Sequence, residues 1–310
     1  MRWLLILSFL FLSSCSLFSP QPTRQNPLQT KNVPFQAPRT NDGRLRHRIV
    51  VLPFLDAKTD RSQRVRERAR LTVVGTLQRT GNFVLVSPND FSKDVGQFVN
   101  ESNNYDLEAL APLSSSMGVA ALVEGKILEV KAKRVSDSVG LFRKLTARIT
   151  TAVRIRVVSA KSGKIIMDEV REATVEAETT RVAEYSYSDR FLEEDPHLVQ
   201  KAVGKAFWGA IQKIALSVEK LSWEGRVALI SGERIFVNAG RLSGIQIGDV
   251  LKITEEGEEV FDPESGVFLG RAPGRMKGTI EVVSYFGKDG AIAIVHSGSG
   301  FKENDRVEVY

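Results

Sequence analysis

The chain contains one cysteine, Cys15, which follows a short apolar run near its amino terminus. A single thiol cannot form an internal disulfide, so the folded part must be held together by an apolar core and hydrogen bonds. Met1 and Arg2 give a positive start, and residues 3–12 are almost continuously apolar. Because a helix needs about 20 apolar residues to cross a bilayer, this layout predicts a cleaved export signal over residues 1–14.

The residues just before the cysteine are Leu12, Ser13 and Ser14, one apolar residue followed by two small ones. This stretch resembles the bacterial lipobox, and the resemblance implies that Cys15 carries a covalent lipid with palmitate-type acyl chains. The other interpretation is an ordinary secretory signal with an unrelated cysteine. Several acyl chains give firm anchoring. Ser16 next to the cysteine favours the outer membrane, so we expect a lipid-anchored lipoprotein that faces the periplasm.

Residues 15–47 are expected to form a flexible tether. They contain five prolines among mostly polar residues, and such a stretch cannot bury enough apolar surface to become ordered. The remaining chain, about 260 residues, is longer than a typical single domain, which predicts two. We place them at residues 48–223 and 224–310, because a helical pattern gives way to alternating strands near Trp223.

Strand and helix patterns alternate through residues 48–223, which predicts an α/β arrangement of layers. The apolar run Ile49–Phe54 is typical of a buried strand. Ser87 followed by Pro88 indicates the start of a helix that would run to about residue 99. Further helices are predicted over residues 62–79, 106–116 and 197–221, and further strands over 83–86, 119–130, 145–158 and 165–175.

Residues 225–310 consist almost entirely of short apolar or alternating stretches with turn residues between them, which predicts a small antiparallel barrel or sandwich. The predicted strands cover residues 226–230, 234–238, 250–254, 267–271, 279–285, 291–296 and 306–310. We therefore expect a mixed fold class: an α/β sandwich with a mixed sheet, followed by a small antiparallel β-barrel.

Three stretches of the first domain resemble the curli-secretion lipoprotein family, CsgG, whose core fold is shared with the N-terminal domain of the periplasmic protein TolB. These stretches are Ile49–Phe54, Ala120–Ile127 and Val153–Val158 followed by Ser162–Ile165. The resemblance implies an envelope protein with this α/β core.

Four stretches of the second domain resemble the C-terminal domain of the flagellar assembly protein T family. They are Gly225–Ile230, Val237–Asp249, Asp262–Gly266 and Gly278–Val282. In that family a TolB-like domain precedes this unit, and the protein is a non-catalytic part of a periplasmic ring around the flagellar motor. The resemblance implies a role in assembly.

Few residues are placed to carry chemistry. The three histidines, His47, His197 and His296, lack the spacing of metal ligands, and no nucleophile elbow or phosphate-binding loop is present. We therefore expect no enzymatic activity, no metal, no small-molecule substrate and no cofactor apart from the lipid on Cys15.

Two loop features could suggest a ligand but favour a structural role. Gly240, Gly244 and Gly248 supply the positive φ that tight loops between strands require. The acidic runs at residues 193–195 and 255–259 are typical of solvated loops or hairpin tips.

Positive charge is concentrated around the first predicted helix, where Arg61, Arg64, Arg66, Arg68 and Arg70 follow one another closely. Export excludes nucleic acid as a partner, although the chain is basic, with a pI near 9.4. Anionic lipid headgroups or an acidic protein surface would fit these arginines. Simple solvation of the helix is the other interpretation.

The curli-secretion family forms an oligomeric outer-membrane pore to which each subunit gives two β-hairpins. The equivalent places here are residues 129–150 and 170–197. A spanning strand needs about 9–11 residues with an outward apolar face. Arg143 interrupts the first segment, and charges fall on both faces of the second.

We therefore expect a scaffold or assembly factor that docks on other envelope proteins or forms a homo-oligomeric ring. A subunit of a curli-type secretion channel is the alternative, and an enzyme or small-ligand binder is a third hypothesis.

Overall fold

The structure is a computed structural model that describes residues 43–58, 61–136, 145–178, 192–193 and 195–309. The predicted signal, the lipobox and most of the predicted tether lie outside these residues. The tether prediction is wrong for its last two residues, because Arg46 is buried and bonded to Gly81 O and Leu242 O, and His47 begins a strand.

A six-stranded mixed sheet forms the centre of the first domain. Its strands are β1 (His47–Val51), β2 (Leu55–Asp56), β3 (Phe83–Val86), β4 (Ala121–Ser136), β5 (Leu145–Ser159) and β6 (Ile165–Glu178). The order is β3-β1-β4-β5-β6, and β2 pairs with β4. β1 runs parallel to β3 and β4, whereas β4, β5 and β6 are antiparallel neighbours. The parallel pairs need crossover connections, which helices supply.

Among the described residues of this domain, the α-helices with given bounds are α1 (Gln63–Thr80), α2 (Leu107–Ser116), α3 (Pro196–Trp208) and α4 (Ile211–Glu219). Side chains of Ser62, Asp106 and Asp195 accept hydrogen bonds from the first backbone N–H groups of α1, α2 and α3, which fixes where these helices begin. The helix α1 ends at Gly81, which has a positive φ of 68°.

Both faces of the sheet are covered. Ile49 and Val51 of β1 point into a core shared with α1, α3 and α4, whereas Val50 and Leu52 point into a second core shared with α2. A strand that is buried on both faces has a continuous run of apolar residues, which explains the pattern Ile49–Phe54.

The second domain is a closed antiparallel barrel. Its strands, together with a separate hairpin, are β7 (Glu224–Ser231), β8 (Arg234–Val237), β9 (Val250–Thr254), β10 (Glu259–Phe261), β11 (Phe268–Arg271), β12 (Met276–Phe286), β13 (Gly290–Gly298) and β14 (Arg306–Val309). The barrel closes in the order β12-β13-β8-β7-β14-β9, and β10 pairs with β11 alone. Apolar side chains such as Ile235, Leu251 and Ile280 fill its interior.

Two helix predictions are wrong. Ser87 caps only a short 3-10 turn, Pro88–Asp90, and a second short turn covers Val95–Phe98. Asp94 accepts a hydrogen bond from Gly96 N at 2.9 Å, and such local side-chain bonds compete with a continuous helix. The helix predicted over 197–221 is divided at Gly209 and Ala210, where glycine weakens the helix and Ala210 N donates to Phe207 O.

Candidate functional site

The predicted lipidation residue and its lipobox, Cys15 with Leu12, Ser13 and Ser14, lie outside the described residues. The lipid anchor therefore stays a prediction.

The five clustered arginines do not form one surface. Arg61 lies 3.2 Å from the carboxylate of Asp56, and both side chains are 2% exposed. Burial raises the pKa of the Asp56 carboxyl, and Arg61 opposes that rise. The prediction that Arg61 contacts a membrane or a partner is wrong, because its guanidinium is buried beside Asp56.

Arg66 and Arg70 are half-buried, and Arg70 is held within the fold. Its guanidinium pairs with Glu67 at 2.5 Å and donates to Val51 O at 3.2 Å. Arg64 is exposed, and Arg68 lies 3.3 Å from the ring of His197 on α3. The Nε atom of Arg66 is buried, so of the five only the exposed Arg64 and the half-buried Arg68 lie on the outer side of the helical layer.

The joint between the α/β domain and the barrel is a polar network that the sequence analysis did not predict. At its centre is Arg226 on β7, whose side chain is 2% exposed. Its guanidinium donates to Ser115 O at 3.0 Å and to Ser115 Oγ at 3.1 Å, at the end of α2. The same group donates to Asn304 O at 3.2 Å and pairs with Glu256.

Asn238 adds a second link across the joint. Its amide donates to Met117 O at 3.1 Å, its side-chain oxygen accepts from Arg226 N at 2.8 Å, and its backbone oxygen accepts from Arg48. Trp223 Nε1 donates to Arg46 O at 3.2 Å, and Arg46 donates in turn to Leu242 O at 3.1 Å. Because these bonds come from separate segments of both domains, they fix the barrel against the α/β domain.

Glu256 belongs to this joint and not to a solvated hairpin tip, which corrects part of the prediction for residues 255–259. Besides Arg226 it contacts Arg306 at 3.4 Å, and Arg306 lies 3.2 Å from Glu224. Glu224 also pairs with Lys161 at the turn between β5 and β6, at 2.5 Å. The sequence gives no periodic signal for this network, because its members come from distant positions.

The structural interpretation of the glycine loop is confirmed at Gly244 and Gly248, whereas the positive φ predicted for Gly240 is wrong. Gly244 has a φ of 87°, and a Cβ at this position would overlap Arg44 O. A Cβ on Gly240 would lie 2.6 Å from Gly290 O. Asp289 fixes the loop by accepting from Gly240 N at 2.9 Å and Ser243 N at 3.0 Å.

The three histidines lie on three different elements. His47 lies on β1, where burial lowers its pKa, and His197 lies at the start of α3. His296 lies on β13. Within the described residues, no group of three His, Cys, Asp or Glu side chains could hold a metal ion. No helix in the same part of the chain is long and apolar enough to cross a bilayer.

The two candidate membrane hairpins, residues 129–150 and 170–197, include the ends of strands β4, β5 and β6 that lead into the segments between them. Pairing continues to Ser136 with Leu145 and to Thr146 with Glu178. One face of this extension, with Val130, Ile149 and Ala173, is buried in the core under the helices. The other face is exposed and charged, and consists of Lys131, Lys133, Arg148 and Glu176. The described ends of the strands are therefore part of the folded body.

A family model described as "Curli production assembly/transport component CsgG" matches residues 58–247. The match covers most of the α/β domain and continues into the first two strands of the barrel. No curated protein matches the chain. The flagellar resemblance of residues 224–310 stays a prediction.

Several solved structures are similar to about half of the chain. The hypothetical protein CT253 from Chlamydia trachomatis is 16% identical, with a TM-score of 0.36, over 56% of this chain and 98% of that one. Lipoprotein GNA1162 from Neisseria meningitidis is 15% identical, with a TM-score of 0.29, over 55% and 99%. The PelC dodecamer from Paraburkholderia phytofirmans is 11% identical, with a TM-score of 0.28, over 52% and 85%.

Proposed function

Because the chain belongs to the CsgG family of curli production assembly and transport components, we propose that it is a non-catalytic scaffold lipoprotein of the bacterial cell envelope. A lipid on Cys15 holds it at the outer membrane, and its folded part faces the periplasm. There it presents protein surfaces to an envelope machine, either a secretion apparatus or a flagellar-type ring, and it assembles into a homo-oligomeric ring.

The rigid joint between the two domains is the observation that carries this proposal. A flexible linker would let the barrel move independently, whereas Arg226, Asn238 and Trp223 fix it through buried hydrogen bonds to the α/β domain. Two domains held in one orientation present their outer surfaces at a fixed distance and angle. A scaffold that must position partners in an assembly requires that property.

The first test is lipidation in living cells. We expect radiolabelled palmitate to enter the wild-type protein, and Cys15→Ala to abolish labelling and to release the protein from the membrane fraction. Wild-type protein that takes up no label, or that stays in the cytosol, would overturn the anchored part of the proposal.

The second test is the assembly state. Native mass spectrometry of lipidated protein in mild detergent should show a ring-sized oligomer. We expect Arg226→Met to loosen the barrel and so to lower the fraction of the protein that is in the oligomer. The exposed barrel variant Arg234→Met should leave that fraction unchanged. A wild-type protein that remains a monomer at all concentrations would contradict the ring.

A curli-type channel subunit is the second candidate, favoured by the three long antiparallel strands that run toward both candidate hairpins. The charged outer face of these strands argues against it, because Arg or Lys facing lipid near the bilayer midplane costs roughly 2–4 kcal/mol each. Only fourteen residues, 134–147, lie between Lys133 and Arg148. A hairpin arm of six or seven residues is shorter than the roughly 9–11 that a spanning strand needs.

Planar-bilayer recording separates the two candidates. We expect the purified lipidated protein to give no stepwise conductance. Reproducible single-channel steps, lost when residues 137–144 are replaced by a short Gly-Ser turn, would establish the channel and overturn the scaffold.

A further inference from the structure

The outward sides of α1 and α3 form one continuous surface. On α1, Arg64, Arg68 and Leu71 recur at intervals of four and three residues, opposite the buried stripe of Val65, Ala69 and Val73. On α3, Lys201 and Trp208 are seven residues apart and lie opposite the buried Val199 and Val203.

The two helices are packed closely enough for these stripes to be neighbours. Arg68 Nη1 lies 3.3 Å from His197 Nε2, and a methyl group added to Gly204 would lie 3.0 Å from Thr72 Cγ2. We call the surface made by Arg64, Arg68, Leu71, Lys201 and Trp208 the helical face.

The net charge of the protein is concentrated in these two helices. Together α1 and α3 carry five Arg and two Lys against a single Glu, Glu67, whereas the whole chain has 43 basic and 37 acidic residues. Outside the two helices the numbers of basic and acidic residues are therefore equal. Arg70 pairs with Glu67, the Nε atom of Arg66 is buried, Arg79 donates to Gly75 O of its own helix, and Lys205 donates to Thr174 O at the sheet edge. Arg64, Arg68 and Lys201 therefore remain on the helical face.

Two large apolar side chains protrude from this basic surface. Trp208 is 67% exposed and Leu71 is 53% exposed. Leu216, on the outer side of α4 in the same layer, is 59% exposed. Exposed Trp among Lys and Arg is the composition of surfaces that rest at a membrane interface, where the indole lies at headgroup level and the cations meet anionic lipid.

We propose that the helical face binds the surface of an anionic membrane, with Arg64, Arg68 and Lys201 contacting lipid phosphates and Trp208 and Leu71 entering the headgroup layer. The inference rests on the proposed function in one respect, because the lipid on Cys15 would keep the body near lipid. The 27 residues between Cys15 and Gly43 could span roughly 90 Å when extended, so the anchor allows this contact. Proximity to lipid favours a membrane over an acidic protein as the occupant.

The fluorescence of Trp208 gives a direct test. The full chain contains three tryptophans, Trp3, Trp208 and Trp223, and Trp223 is buried. In the full chain with Trp3→Phe and Cys15→Ala, vesicles of phosphatidylglycerol and phosphatidylcholine should shift the emission to the blue, and brominated lipid should quench it. Vesicles of phosphatidylcholine alone should produce neither change. The same protein with Trp208→Phe should lose both signals.

Charge reversal tests the basic part of the face. Arg64→Glu, Arg68→Glu and Lys201→Glu together should weaken binding to anionic vesicles by roughly tenfold or more, and salt should weaken wild-type binding in the same direction. The matched control reverses three exposed cations elsewhere, Lys133, Arg234 and Lys302, and should leave binding unchanged. Circular dichroism confirms that each variant is folded.

The two proposals can fail separately. Absence of any response of Trp208 to anionic vesicles would overturn the helical face as a membrane contact, even if palmitate enters Cys15. An equal loss in the control variant would also overturn it. Crosslinking of the helical face to an acidic envelope protein, without a vesicle response, would replace the membrane by that protein.

Discussion

Two carboxylates, Asp56 and Glu124, lie inside the α/β domain, and each has one arginine beside it. Asp56 lies 3.2 Å from Arg61, and Glu124 lies 2.5 Å from Arg156. Burial raises the pKa of both carboxyls, and the arginines oppose that rise. Such pairs add little net stability, but removing one partner leaves a buried charge alone.

We predict that Arg61→Met destabilises the protein at pH 7 by about 3–5 kcal/mol, because Asp56 would keep an unpaired buried charge. Without Arg61 the pKa of Asp56 rises further. A raised pKa stabilises the fold most at low pH, where the carboxyl is protonated, and that contribution is lost as the pH rises through the pKa. The cost of the substitution should therefore shrink as the pH falls below the raised pKa of Asp56.

Urea unfolding of the wild type and the variant at pH 7 and pH 4.5 measures this difference. The exposed Arg64→Met serves as the control and should change the free energy of unfolding by less than about 0.5 kcal/mol at both values. A cost for Arg61→Met that is the same at both pH values would contradict the proposed role of Asp56.

At the scale of elements, an amphipathic helix and apolar strands could be predicted from local residues. The helix over 62–79 and the strand over 83–86 are confirmed as α1 and β3, and the predicted strand 250–254 is confirmed as β9. The helix prediction rested on apolar residues that recur every four positions, and the strand predictions rested on short apolar runs. The cap signal at Ser87 and Pro88 predicted a helix that is only a short 3-10 turn. The strand β10 was missed because Glu259–Phe261 is short, exposed and next to an acidic run.

The helix α3 begins at Asp195, whose carboxylate accepts from His197 N at 2.8 Å and Leu198 N at 3.0 Å. We predict that Asp195→Ala lowers the free energy of unfolding by about 1 kcal/mol, because two backbone N–H groups lose their acceptor. Thermal unfolding measures the change, and the exposed turn variant Glu303→Ala should show almost none. Equal melting temperatures for both variants would show that this cap contributes nothing.

At the scale of the whole molecule, the joint determines how the two domains act together. The sequence predicts both domains but not the joint. In the sequence, Arg226 is indistinguishable from an ordinary polar residue of a strand in which polar and apolar residues alternate. In the structure Gly225, Arg226 and Val227 are all buried in succession, which breaks the alternation. The partners of Arg226 lie at Ser115, Glu256 and Asn304, and no local pattern connects such distant positions.

We predict that Arg226→Met loosens the barrel from the α/β domain. The substitution removes the donor to Ser115 O and leaves Arg306 as a charged partner of Glu256, and losing one side of a buried pair costs about 3–5 kcal/mol. Limited proteolysis should then cut the variant near residues 219–224 faster than the wild type. The exposed Arg234→Met, on the same barrel, should leave the cleavage rate unchanged. Cleavage of the Arg226 variant at the wild-type rate would mean that other bonds alone hold the joint.

Closure of the barrel has a consequence for how this domain can join a larger structure. Every strand of the ring β12-β13-β8-β7-β14-β9 pairs with a neighbour on each side, so the ring has no edge strand. A partner therefore cannot add a strand to the ring, as it could to an open sheet. A partner that binds the outer surface of the barrel must therefore recognise its side chains. Single substitutions can change those side chains without altering the fold.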